Sequence, residues 1–385
     1  MTRLPPHPLL ATAVELGPRL SARSAEFESA RRLPPDVVEE FARAGFFRML
    51  IPEAYGGLEL HPSISFQVIE ALSRADGAAG WGAMIGSGTG LSTAWLPESV
   101  GREVCASPEV IIGGVAAPLG RAERVEGGYR VTGRWPWASG GHHCHWLVGG
   151  AVVFEDGKPR VVREDIPETR LLYFPAAAVT LHDTWFSMGL CGTGSGDMEV
   201  KDLFVREDHA FSFLAPPKVA RPIYGFPFGL LGHGIPAVAL GIARRAIEEL
   251  ITLARQKTVL AERRLLAARP SVQEAIAEAD AEVRAARAFM LDVLHAIVDE
   301  ATKGPVSMRG RADLRLAMTH GTRAATRAVD RVYEAAGGPA VFHTHPLQRC
   351  FRDIHTLTQH AFVARPTLEV TGGVLLGFDP PFPNL

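Results

Sequence analysis

Hydrophobic positions change their period twice along this chain. From about residue 9 to 104 they recur at helical spacing: Val37, Val38, Phe41, Ala42 and Phe46 form one stripe, and Phe66, Ile69, Leu72 and Ser73 another. Pro34-Pro35-Asp36 supplies a helix start, because proline is tolerated in a first turn. Ile51 to Gly57, with a proline and paired glycines, reads as a turn. From about 110 to 206 the helical period fades into short Val-, Thr-, Tyr- and Trp-rich segments punctuated by Gly and Asp. Residues 122–133 read as a hairpin about Gly127-Gly128, 146–154 as a buried strand, and 199–205 alternates with period two. From about 229 the helical period returns. Amphipathic segments run from Ile235 to about Lys257, from Ser271 (an N-cap candidate, with Glu274 three residues on) to about Thr302, from Arg309 to Ala336, and from Pro346 to about Ala364. Gly337-Gly338-Pro339 stops the third.

This pattern predicts an α+β protein: an N-terminal helical domain over 1–107, a central antiparallel β domain over 108–210 and a C-terminal four-helix bundle over 211–385. Bulk properties narrow its partners. The 385 residues are 47% hydrophobic and 21% charged, ordinary for a globular protein. A net charge of −2, with no basic stripe, argues against nucleic acid or an anionic membrane as the main partner. No apolar run reaches the ~18 residues of a membrane span, and no signal peptide is readable, so a cytoplasmic location is expected. Cys105, Cys144, Cys191 and Cys350 show no C-x-x-C spacing and read as free thiols.

Metal and dinucleotide motifs are weak. On a strand, His143 and His145 would share a face, but two ligands without a third make a poor zinc site, and His343-x-His345 fares no better. One member of the 142–145 cluster, His143, is instead expected to line a substrate pocket. Neither Gly86-x-Gly88-x-Gly90 nor Gly192-x-Gly194-x-Gly196 has the spacing of a dinucleotide fingerprint.

Four signatures in order resemble the acyl-CoA dehydrogenase superfamily over nearly the whole chain: Leu50-Ile-Pro-Glu-Ala-Tyr-Gly-Gly-Leu58, Val131-Thr-Gly-Arg-Trp-Pro-Trp-Ala-Ser-Gly140, the run Leu181 to Ser195 with the strand Glu199 to Val205, and Pro346-Leu-Gln-Arg-Cys-Phe-Arg-Asp353. A dehydrogenase of this family needs a carboxylate base to take an α-proton. In the family it lies either about eight residues after the Arg-Asp pair, here Ala361, or near the first bundle helix, here near Leu231. No Asp or Glu occurs between Asp208 and Glu248. The Trp-x-x-Ala-Ser-Gly form ending at 137–140, with its first Trp at 135, and the Arg-Asp-x-His-x-x-x-x-His form at 352–360 are similar instead to the flavin monooxygenase branch, which includes the oxygenases of 4-hydroxyphenylacetate and dibenzothiophene metabolism.

The resemblance implies an oxygenase component that uses reduced FMN or FAD and O2, through a flavin C4a-hydroperoxide, to oxygenate a small apolar or heteroaromatic substrate. A separate NAD(P)H-flavin reductase would supply the flavin, since the chain shows no nicotinamide-binding unit. Ser139 would meet flavin N5 and His360 the same flavin edge, as peroxide-polarising group or base. Trp135 and Trp137 would pack on the ring or form β-domain core. Thr193 and Ser195 would bond the phosphate or ribityl chain. Gly337 and Gly338 would approach the flavin of a neighbouring subunit in a homotetramer. His233 is a candidate pocket residue, because 83–91 carries no phenol-binding histidine. The alternatives are an FAD-dependent acyl-CoA dehydrogenase-like oxidoreductase, which needs a base elsewhere, and a flavin-free binding protein on the same fold.

Overall fold

A computed structural model describes residues 7–163, 166–259 and 263–380. The N-terminal region holds α1 (Pro8–Ala30), α2 (Pro35–Ala44), α3 (Pro62–Ala75), α4 (Gly77–Gly90) and α5 (Glu98–Val104). Pro35 and Pro62 sit in first turns, where a missing N–H costs nothing, and Gly45 closes α2 at φ +91°. Asp76 caps α4 by accepting from the N–H groups of Ala78 and Ala79, both at 3.0 Å.

The β domain follows: β1 (Ile112–Val125), β2 (Gly128–Trp135), β3 (Trp146–Glu155), β4 (Lys158–Pro159), β5 (Val161–Arg163), β6 (Ile166–Pro167), β7 (Thr169–Pro175), β8 (Thr180–His182), β9 (Asp197–Arg206) and β10 (Ala210–Phe211). The main sheet runs β10-β7-β3-β1-β2-β9-β8, with β4 on β3. The hairpin at Gly127-Gly128 forms as expected, pairing Val125 with Gly128. One pair departs from the antiparallel expectation: β1 and β3 run parallel, Ile112 opposite Trp146. The reason is the 136–145 connection, long enough to carry the chain back to the start of β1 rather than turn it round. Period two buries Val131, Trp135, Leu147, Phe174, Met198 and Val200 in a core of the β domain's own.

The bundle comprises α6 (Pro227–Gly232), α7 (Gly234–Gln256), α8 (Pro270–Ala301), α9 (Met308–Ala336), α10 (Pro346–Leu357) and α11 (Pro366–Leu375). Helix α8 packs on α9, and α7 packs on α9, α3 and α10. The α3–α7 approach depends on Gly241, where a Cβ would lie 2.5 Å from the Glu70 carbonyl oxygen. Two boundaries differ from expectation. Ser271 is not the N-cap of α8: Pro270, with its fixed φ, starts the helix and Arg269 is the cap. The last segment is not one helix to Ala364. Helix α10 ends at Leu357, a 3-10 turn spans Ala361–Val363, and Pro366 starts α11. His360 therefore sits in a turn between helices.

Candidate active site

The site is built around the turn that leaves β2. Trp137 has φ +65° and Gly140 φ +67°, so the chain reverses sharply and lifts Ser139 out of the sheet. A tryptophan in the left-handed region is strained by order ~1 kcal/mol or more and persists only when its surroundings hold it. They do: Ala138 N–H donates to the Gly196 carbonyl at 2.8 Å, and Gly140 N–H to the Thr193 carbonyl at 2.9 Å. The Trp137 indole is left 64% exposed, while Trp135 has no exposed surface. Trp135 lies against Phe174 and donates its indole N–H to the Gly150 carbonyl at 2.7 Å. Of the two roles open to Trp135, the structure places it in the β-domain core and not on a ring-binding surface.

Ser139 is 4% exposed and lies within a chain of hydroxyls. Trp81 Nε1–H donates to Ser139 Oγ at 3.0 Å. Ser139 Oγ is 2.6 Å from Ser195 Oγ, and Ser195 Oγ is 2.6 Å from Thr193 Oγ1. Thr193 Oγ1 donates to the Leu190 carbonyl at 2.8 Å. The Thr193 and Ser195 hydroxyls, expected on a flavin phosphate or ribityl chain, are thus occupied by one another and by protein. Trp81, on α4, lies in no motif; its signal in the sequence is a single aromatic side chain in the Gly- and Ala-rich run 77–90.

On the bundle side, the His360 ring lies 5.8 Å from the Trp81 ring, edge-on, so Ser139 and His360 meet the same indole. His360 Nδ1 accepts the Phe362 N–H at 3.2 Å, which places the proton of a neutral ring on Nε2. Burial, reinforced by the Arg315 charge, pushes the His360 pKa down to about 4, so the ring is neutral across the physiological range. The side chain is therefore arranged as an Nε2–H donor, and the base role would require the opposite tautomer.

His143 lines a cleft with Ser139 and Thr193, facing the apolar side chains of Phe47, Ile85 and Ile112. Residues 141–143 form a 3-10 turn, so the strand alternation that paired His143 with His145 does not apply. His143 Nε2 is buried without a hydrogen-bond partner, which suits a polar ligand atom or a water. His233 corrects an expectation. It is 2% exposed, donates from Nδ1 to the Leu230 carbonyl at 2.6 Å and accepts the Ser65 hydroxyl on Nε2 at 2.8 Å. Burial drives its pKa down to about 4. Both nitrogens are used inside the protein, so it is a satisfied core histidine. Gly337 ends α9 at φ +63°, and Gly338 has open space where a side chain would stand.

A planar ligand with a polar edge fits the turn that leaves β2: the exposed Trp137 indole, the Ser139 hydroxyl two residues on, and open backbone at Gly140, where a Cβ meets nothing. The fold and this site define an acyl-CoA dehydrogenase-like flavoprotein that lacks the dehydrogenase base.

Comparison with known proteins agrees. The acyl-CoA dehydrogenase N-terminal domain model matches residues 16–99, and the C-terminal domain model residues 233–365. The chain is 32% identical to indole-3-acetate monooxygenase of Pseudomonas putida over 94% of this chain and 92% of that one. It is 30% identical to the flavin-dependent monooxygenase oxygenase subunit HsaA of Rhodococcus jostii, over 89% and 91%. Among solved structures, the HsaA monooxygenase of M. tuberculosis superimposes with a TM-score of 0.90 at 28% identity, over 98% of this chain and 99% of that one. The chain belongs to the flavin-dependent monooxygenase branch of the acyl-CoA dehydrogenase superfamily and is an oxidoreductase of that class. Among the described residues no helix is long and apolar enough to cross a membrane.

Proposed function

We propose that the chain is the oxygenase component of a two-component system, taking reduced FMN or FAD from a separate NAD(P)H-flavin reductase and using O2 to oxygenate a small apolar or heteroaromatic substrate in the cytoplasm. The observation that carries this reading is the convergence of the Ser139 hydroxyl and the neutral His360 ring on Trp81, where the family's base carboxylate is missing. The relatives support it. A resorcinol hydroxylase of Rhizobium, 27% identical over 94% of this chain and 92% of that one, is named an FADH2-dependent oxygenase component. XiaF from Streptomyces, with a TM-score of 0.90 and 25% identity over 98% of each chain, is seen with FADH2.

Bound reduced flavin would supply the two electrons that activate dioxygen. Trp137 would cover the ring, Ser139 would bond its N5 edge, and the open backbone at Gly337 and Gly338 would approach the phosphate of a flavin bound by a neighbouring subunit. The exposed Val341 and Phe342 beside those glycines, and Leu376 further on, suit burial in a homotetramer. His360 would hold a proton at Nε2, aimed where negative charge develops on oxygen. Apolar walls at Phe47, Ile85 and Ile112 would exclude water from the substrate, with His143 Nε2 accepting a substrate N–H or O–H.

The test supplies chemically reduced FMN or FAD, 18O-labelled dioxygen and a panel of indoles and phenols. Labelled product is expected, and His360→Ala should divert at least ~90% of the consumed oxygen to hydrogen peroxide, a loss of one donor being worth about 100- to 1000-fold. Unlabelled substrate across the whole panel, with either flavin, would refute the reading.

A further inference from the structure

The chain of hydroxyls between α4 and the β domain has a direction. An aliphatic hydroxyl has one hydrogen to give. The Leu190 carbonyl only accepts, so Thr193 spends its hydrogen there, at 2.8 Å. Thr193 Oγ1 must then accept from Ser195, and Ser195 Oγ from Ser139, each across 2.6 Å. Reversing any link leaves two lone pairs facing each other at hydrogen-bond distance. At the other end the Trp81 indole N–H only donates, and it donates to Ser139. The Ser139 hydrogen is therefore committed to Ser195, and what Ser139 retains for a ligand is a lone pair.

The far end is anchored with equal care. Leu190 has φ +50°, a conformation a leucine adopts only when held. Its carbonyl also accepts Thr193 N–H and Trp185 Nε1–H, each at 3.1 Å. Its own N–H donates to Asp353 Oδ1 on α10 at 2.6 Å. Asp353 is buried beside Asp76, Arg349 and Arg352.

We propose that Ser195 and Asp353 are positioning residues that fix the Ser139 hydroxyl as a hydrogen-bond acceptor, so that the site favours a ring nitrogen bearing a hydrogen over a bare one. N5 of a reduced flavin bears a hydrogen; N5 of an oxidised flavin does not. The wiring thus selects the redox form of the cofactor before any chemistry takes place. This rests on the flavin reading given above.

The test is anaerobic titration of the protein with reduced and with oxidised FMN and FAD, followed by tryptophan fluorescence, with circular dichroism as the check of fold. The wild type is expected to bind the reduced form more tightly. Ser195→Ala frees the Ser139 hydrogen to donate to oxidised N5, so the ratio of oxidised to reduced Kd should fall roughly 3- to 10-fold, the worth of one neutral hydrogen bond. Asp353→Ala should lower the ratio similarly, and Asp353→Asn, whose amide oxygen still accepts from Leu190, should restore it. An unchanged ratio in folded Ser195→Ala overturns the proposal while leaving the flavin reading intact. A folded wild type that binds neither form overturns that reading, and the proposal with it. Equal ratios in Asp353→Asn and Asp353→Ala would remove Asp353 from the wiring.

Discussion

Replacing Gly189 by alanine tests how the β-domain loop is docked on the bundle. Gly189 is not in the left-handed region, so alanine meets no backbone penalty there, and any cost is steric. A Cβ at 189 would lie 2.3 Å from the Arg352 carbonyl oxygen and 2.7 Å from the Asp353 nitrogen. Both are backbone atoms of α10 and cannot rotate away. Ordinary contact begins near 3.4 Å, so loop and helix must part by about 1 Å. The Leu190 N–H to Asp353 bond, 2.6 Å long, would stretch beyond hydrogen-bonding range, and the Arg352 Nη1 donation to the Met188 carbonyl, also 2.6 Å, would weaken. Loss of one hydrogen bond to a buried carboxyl and part of a second is worth ~2–4 kcal/mol. Urea unfolding of the flavin-free protein measures it. Gly372→Ala, in α11 with open space around its Cβ, is the control and should gain up to ~1 kcal/mol. If Gly189→Ala unfolds within ~0.5 kcal/mol of the wild type, the loop is not clamped as described.

Trp135→Phe and Trp137→Ala should separate core from cofactor surface. The first should cost ~2–3 kcal/mol in urea unfolding, through a lost hydrogen bond and lost volume, with flavin Kd unchanged; the second should weaken flavin binding at nearly constant stability. Stability should rise with pH between about 4 and 6.5, because His233 and His360, pushed down to about 4 mainly by burial, stay neutral in the folded protein while the unfolded chain takes up protons. Each contributes at most ~1.4 kcal/mol per pH unit. Asp353 works against them: burial raises it to about 7, so from about 4 upward the folded state holds a proton that the unfolded state has lost, and stability falls as pH rises. Asp353→Asn should therefore steepen the rise in unfolding free energy measured over that range.

Sequence periodicity was sufficient for the long elements because each buries one face: α7, α8, α9 and β9 fall within a residue or two of the expected limits. It was insufficient where long-range geometry decides. Nothing local says that β3 returns beside β1 in parallel, since that depends on where a ten-residue connection crosses. The end of α10 was missed because no glycine or proline marks it; Thr358 and His360 cap by side-chain bonds to nearby backbone, a signal that also occurs inside helices. Among candidate site residues, Ser139 and His360 were reachable through motifs. Trp81 was not, because its relevance is a contact between residues 81 and 139, in different domains.

That contact also explains why no single domain could carry the site. Trp81 comes from an N-terminal helix, the Ser139, Ser195 and Thr193 hydroxyls from two β-domain turns, and Asp353 and His360 from the bundle. Strained backbone at Trp137 and Leu190 lies in those two turns, and each turn is held in part by bonds to segments far away in the chain, Ala138 to Gly196 and Leu190 to Asp353. Neither turn would keep its shape in isolation, because a non-glycine residue in the left-handed region relaxes unless its neighbours hold it. The orientation of the Ser139 hydroxyl is therefore a property of the assembled fold. A substitution on α10 that leaves Ser139, His360 and the flavin face untouched should still alter which redox form of flavin is bound.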